Sequence, residues 1–125
     1  MRVEHRYYYP DIVVVCDSPK FGDDKPASLL NPKVIIEVTF DTTGLRDWTK
    51  KRKHCQRIAS LSQYVIVNCP EPSVAIWTRT DEGRWSGPEE TDDGEVEIAG
   101  VMLGLPDIYE GVAALAAELG YRFED

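Results

Sequence analysis

Val34-Ile35-Ile36-Glu37-Val38-Thr39-Phe40 and Asp11-Ile12-Val13-Val14-Val15-Cys16 are the two stretches from which the fold can be read. Both are rich in β-branched residues and each holds one acid, so each reads as a strand with a carboxylate where a carboxylate is costly. The β-branched run Ile12 to Val15 implies burial on both faces and hence a central strand. Alternation in Val34 to Phe40 places Val34, Ile36, Val38 and Phe40 on one face and Ile35, Glu37 and Thr39 on the other. An ionised carboxylate withdrawn from water needs a cation, hydrogen bonds or a shifted pKa. Two of them at the ends of adjacent strands imply a shared site, and a divalent metal is the candidate occupant.

Other readings of each acid stay open. Asp11 follows Pro10, so it also suits a strand start that accepts turn hydrogen bonds. Glu37 also suits an edge-strand position or one half of a buried pair with Lys33 or Lys51.

Downstream of Glu37, the turn Asp41-Thr42-Thr43-Gly44 precedes a helix expected over Leu45 to Ala59, with Leu45, Trp48, Cys55, Ile58 and Ala59 on one stripe. Lys51 and Arg52 fall on that stripe too, and counting about 100° per residue from Trp48 puts Lys51 between Cys55 and Ile58. Lys50, Lys53 and Arg57 point away from it. Between Arg46 and Arg57 six basic residues face only Asp47, a local charge of +5, whereas the whole chain carries −8 and the remainder −13. One helix is basic in an otherwise acidic chain, whose average charge weakens nonspecific attraction to phosphate.

The rest of the chain supplies further elements. Asp17 to Lys33 reads as a long loop, with Leu29 and Leu30 pinning it. Strands are expected at about Tyr64 to Asn68 and Val74 to Thr80, joined by Cys69-Pro70-Glu71-Pro72, with a turn at Asp81-Glu82-Gly83. Glu89 to Glu95 reads as a solvated acidic loop. Short strands follow near Val96 to Ile98 and Val101 to Leu103. A last helix has Asp107 as N-cap, Glu110 completing a capping box, an apolar stripe of Ile108, Val112, Leu115 and Leu119, and Gly120 at its end.

A length of 125 residues with 42% hydrophobic content suits one domain over 1–125. No apolar run reaches the roughly 18 residues of a membrane span, and the N-terminus lacks a cleavable signal pattern, so a soluble cytoplasmic protein is expected. Cys16, Cys55 and Cys69 are widely spaced, without a C-x-x-C pair, and are expected to be buried free thiols. His5 and His54 lie in no recognisable nucleophile context, which disfavours a Ser/His/Asp hydrolase.

The order strand with Asp, strand with Glu, helix with an inward Lys suits metal-dependent phosphodiester hydrolysis. Asp11 and Glu37 are hard oxygen ligands for Mg²⁺ or Mn²⁺, and Lys51 would orient the attacking water or offset charge on phosphorus. Lys50, Lys53 and Arg57 would meet the DNA backbone. The alternative, from another class, is a noncatalytic nuclease-fold module that binds a protein partner through a sheet edge and an acidic surface.

From Tyr8 to Val112 the chain resembles the Uma-type putative restriction endonuclease family of the PD-(D/E)XK nuclease superfamily. The residues that carry the resemblance are Tyr9-Pro10-Asp11-Ile12-Val13-Val14-Val15, Asn31-Pro32, Ile35-Ile36-Glu37-Val38, Thr42-Thr43, Asp47 with Lys51, Ser60-Leu61-Ser62-Gln63-Tyr64-Val65-Ile66-Val67 and Asp107-Ile108-Tyr109-Glu110-Gly111-Val112. The resemblance implies an α/β fold, a restriction-endonuclease-like mixed central sheet flanked by helices, with Asp11 and Glu37 as metal-binding acids. It also implies a catalytic lysine moved to the helix, which by position is Lys51, since Thr39 stands at the lysine of the usual Glu-x-Lys. The family's usual N-terminal helix and hairpin are expected to be missing, only Met1 to Tyr7 preceding the first motif. A homodimer is expected to complete the sheet.

Overall fold

In a computed structural model, the backbone is described for residues 2–3, 6–7, 12–23, 29–39, 45–68 and 73–119, and side chains for 12–23, 29–39, 49–68, 73–111 and 114. The sequence expectations for Asp11, Phe40, the turn at 41–44, the side chains of Leu45 and Trp48, the 69–72 connection, and Val112, Leu115, Leu119 and Gly120 lie outside these residues.

β1 (Arg2–Val3) pairs antiparallel with β2 (Arg6–Tyr7), a pairing too short to leave a hydrophobic period in the sequence. The main sheet has β3 (Ile12–Val14), β4 (Val34–Thr39), β5 (Gln63–Asn68), β6 (Ser73–Arg79) and β7 (Trp85–Thr91), in that spatial order. Only β4 and β5 run parallel, and the other neighbours are antiparallel, so the sheet is mixed as expected. A parallel pair needs a long crossover, which carries α1 (Leu45–Cys55). Ser62 closes the start of this unit: its N–H donates to the Lys33 carbonyl at 2.8 Å and its hydroxyl to the same oxygen at 3.2 Å. Ser60 donates to the Pro32 carbonyl at 2.7 Å. The two serines of the Ser60-Leu61-Ser62 motif thus tie β5 to β4.

The faces follow the predicted alternation. Ile35, Tyr64, Ile66 and Ala75 pack with Cys55 and Leu61 on the α1 side. Val34, Val38, Val65, Val67, Val74 and Ile76 pack on the other side against Val96, Ile98 and Leu105. That second layer is the hairpin β8 (Glu95–Ile98) and β9 (Val101–Gly104), followed by α2 (Leu105–Leu119). Ala99 and Gly100 both have positive φ, 54° and 80°, the conformation that a two-residue hairpin turn demands. Gln63 fastens the hairpin to the sheet, donating to the Glu97 carbonyl at 2.9 Å and accepting from Ala99 N–H at 2.7 Å. Tyr109 fastens α2: its hydroxyl donates to the Asn68 carbonyl at 2.6 Å and accepts from Ser73 N–H at 2.7 Å. No helix among the described residues is long and apolar enough to cross a membrane.

Five expectations are corrected. The strand at Ile12–Val14 is an end strand of the described sheet, not a central one; Ile12 is 39% exposed, and Val14 packs against the core on the side of Val34 and Val38. The acidic stretch from Glu89 begins inside β7, because the ladder to β6 is made by backbone groups and tolerates exposed acids on an edge. Gly87 serves the irregular pairing there: its φ is 122°, and a Cβ would sit 2.7 Å from the Ile76 carbonyl oxygen. The α1 helix stops at Cys55 rather than Ala59, because the chain there tightens into three-residue turns in which Arg57 and Ile58 N–H donate to the His54 and Cys55 carbonyls at 3.1 and 3.0 Å. The last helix starts at Leu105, so Asp107 stands in its first turn rather than at the cap; Pro106 suits the first turn, where its missing N–H costs nothing. Cys16 is exposed and Cys55 buried, and both are free thiols.

Candidate functional site

α1 lies over the face of β4 that carries Ile35, Glu37 and Thr39. Its helical period turns Lys51, Arg52 and Cys55 toward the sheet and leaves Lys50 and Lys53 exposed, with Arg57 exposed just beyond the helix. The structure brings Glu37 and Lys51 together, with Lys51 Nζ 2.8 Å from Glu37 Oε1. Glu37 is 1% exposed and Lys51 21%, so the carboxylate is in the interior and the ammonium stands between it and solvent. Of the two cations the sequence offered to Glu37, it is Lys51 that meets it; Lys33 is exposed. Thr39, at the position of the usual lysine, is buried on the same face.

Cys55, one turn after Lys51, is fully buried, and burial pushes its thiol up to about 12, with the Lys51 ammonium opposing the shift. Such a thiol is an apolar packing group rather than a nucleophile. Arg52 lies over the Trp77 ring at 4.5 Å and donates to Gln56 Oε1 at 3.1 Å, and its partial burial holds the guanidinium below its ordinary pKa. Trp77 meets Tyr64 edge to face, centroids 6.2 Å apart.

The end of α1 is held by a residue that sequence reading passed over. Arg79 donates from Nη2 to the carbonyls of Gln56 at 2.8 Å and Ile58 at 3.0 Å, and from Nη1 to that of Ala59 at 3.0 Å. Trp85 Nε1 also donates to the Gln56 carbonyl at 3.1 Å, and the Arg79 guanidinium lies over the Trp85 ring at 4.8 Å. The available signal was alternation in β6, which sets Ala75, Trp77 and Arg79 on one face. Its target, the end of a helix 20 or more residues away, leaves no local trace.

Asp11 lies outside the described residues, but its neighbours in sequence have register partners. Ile12 pairs with Ile36, the residue before Glu37. Among the described residues, no group of three His, Cys, Asp or Glu side chains is placed to enclose a metal ion.

Comparison with known proteins adds two findings. The Uma2 family, described as putative restriction endonuclease, matches residues 1–107. The uncharacterised protein sll1609 of Synechocystis sp. (strain ATCC 27184 / PCC 6803 / Kazusa) is 31% identical over 62 residues, a match that takes in 50% of this chain and 35% of that protein.

Proposed function

This chain belongs to the Uma2 putative restriction endonuclease family, and from that premise we propose that it hydrolyses phosphodiester bonds in DNA, with a divalent cation held by Asp11 and Glu37 and with Lys51 beside the reacting phosphate. The observation that carries the reading is the buried Glu37 carboxylate with the Lys51 ammonium at 2.8 Å. Mg²⁺ typically uses one or two carboxylates and fills its remaining positions with waters and substrate phosphate, so two acids are a sufficient protein contribution. A closed cage of side chains is not required. The pairing of Ile12 with Ile36 supports the choice of Asp11 as the second acid.

In this mechanism Glu37 supplies a hard oxygen from a rigid strand. When bound, Mg²⁺ or Mn²⁺ supplies Lewis-acid polarisation of the phosphoryl oxygen and a more acidic water. Lys51 neutralises Glu37 in the resting protein, and its flexible four-carbon stem lets the ammonium turn to a phosphate oxygen or to the attacking water. Lys50, Lys53 and Arg57, exposed on and just after α1, contact backbone phosphates and set position without reading sequence. A homodimer is part of this reading, with equilibrium sedimentation expected at twice the 14.1 kDa of one chain.

The test is Mg²⁺- or Mn²⁺-dependent cleavage of plasmid DNA, with Asp11→Asn, Glu37→Gln and Lys51→Ala each expected to lower the rate by about 100-fold or more. Unchanged cleavage in all three variants would refute the assigned site. Calorimetric titration with Mn²⁺ separates the noncatalytic module: binding lost in Glu37→Gln favours the enzyme, and a stable oligomer without Mn²⁺ binding favours the module.

A further inference from the structure

On the same face as Glu37, a cleft of about 230 Å³ opens between α1 and strands β5 to β7. Its apolar base is Ile66 and Ala75, which are register partners, and Ile66 is also the register partner of Glu37. The cleft therefore begins one strand from the acid, about 5 Å in the hydrogen-bonding direction. Arg52, the residue after Lys51, borders it with its guanidinium over Trp77, and Asn68 and Glu90 add an amide and a carboxylate. An apolar base with a flat cationic wall and a few polar groups is the pattern of a site for a small planar ligand.

We propose that this cleft receives an unstacked nucleobase next to the phosphate handled at Glu37 and Lys51, stacked on the Arg52–Trp77 pair and offering an exocyclic amine to Glu90; the inference rests on the nuclease reading above. Arginine planes and aromatic rings are the usual platforms for unstacked bases. Glu90 decides between base and phosphate. Its carboxylate opposes a phosphate in the cleft, whereas the amine of cytosine or adenine can donate to it. Thymine has no such amine. A base reaches the cleft only when out of the duplex stack, so the substrate class is single-stranded or locally opened DNA.

The experiment measures binding, in EDTA so that nothing is cleaved, of a labelled single-stranded oligonucleotide, an abasic strand of equal length, and dC and dT tracts. The base-bearing strand is expected to bind about 10-fold more tightly than the abasic one, in the range of one stacked base, and dC about 5-fold more tightly than dT, the discrimination expected of one amine contact. Arg52→Gln, with its fold checked by circular dichroism, is expected to remove most of the first preference. Glu90→Thr, on the exposed edge strand, is expected to remove the second. Equal binding of base-bearing and abasic strands by the unaltered protein overturns the inference, as does either preference surviving its variant. Base-dependent binding without any metal-dependent cleavage would strike down the nuclease reading and leave this cleft standing; Glu37-dependent cleavage without base preference would do the reverse.

Discussion

A carboxylate 1% exposed, met at 2.8 Å by a lysine, is stable only as a pair. Removing the ammonium takes the cation away from a buried carboxylate, and Lys51→Ala is expected to cost about 3 kcal/mol in urea unfolding, the low end for a buried pair because Lys51 keeps some solvent. Replacing both partners, Glu37→Leu with Lys51→Met, removes the charge as well as its partner. That double variant is expected to recover to within about 1 kcal/mol of the parent while losing any metal-dependent cleavage. Stability and function would thereby be separated at one position. Cys55 makes a second expectation at this scale. Its thiol is raised from 9.0 to about 12, so the folded protein keeps it neutral where the unfolded chain ionises it. The associated stability is complete below pH 9 and is lost as pH rises from 9.0 toward about 12. In a Cys69→Ser background, a thiol reagent at pH 8 should label exposed Cys16 quickly and Cys55 only on unfolding; rapid labelling of both would contradict the packing. Glu37 and Lys51 were legible in the sequence as an acid in an apolar strand and a lysine on an apolar stripe. Their mutual contact was not, since Lys33 satisfied the same local pattern.

Secondary elements here are fixed as much by distant side chains as by their own residues. Arg79 gathers the Gln56, Ile58 and Ala59 carbonyls at 2.8 to 3.0 Å and clamps the turns that follow α1. Arg79→Met is expected to lower stability by about 2–3 kcal/mol, the scale of charge-assisted hydrogen bonds with one donor serving several acceptors. Arg79→Lys should recover little of it, because a point ammonium cannot reproduce the planar fork. Thermal unfolding of the two variants distinguishes this clamp from a purely hydrophobic role of the side chain, which either substitute would largely preserve. Ile58 and Ala59 continue the apolar period of α1, yet the chain tightens into three-residue turns after Cys55 and their carbonyls accept from Arg79 on β6. The acidic β7 was missed for a related reason. Its side chains carry no period because most are exposed, and only its backbone pairs.

At the scale of the molecule, charge is segregated: the segment Arg46 to Arg57, α1 and the turn after it, has local charge +5 and is joined to a remainder of −13. DNA binding should therefore be weak and confined to α1. If Lys50, Lys53 and Arg57 make three phosphate contacts, the slope of log affinity against log salt concentration should be about −2 to −3. A slope near zero would remove these residues from the interface, and a much steeper one would call for a larger surface. The sequence by itself placed strands at about Val34 to Phe40 and Tyr64 to Asn68, the alternating faces of the first of them, the inward turn of Lys51 and the outward turn of Lys50, Lys53 and Arg57, because periods of 2 and 3.6 residues are local properties of the chain. Tertiary structure alone decided that Ile12–Val14 ends the described sheet, that Glu37 meets Lys51 rather than Lys33, and that Arg79 clamps the turns that follow α1. Each of those depends on which strand lies beside which and on where the crossover sets the helix down, and no short window of sequence contains that information.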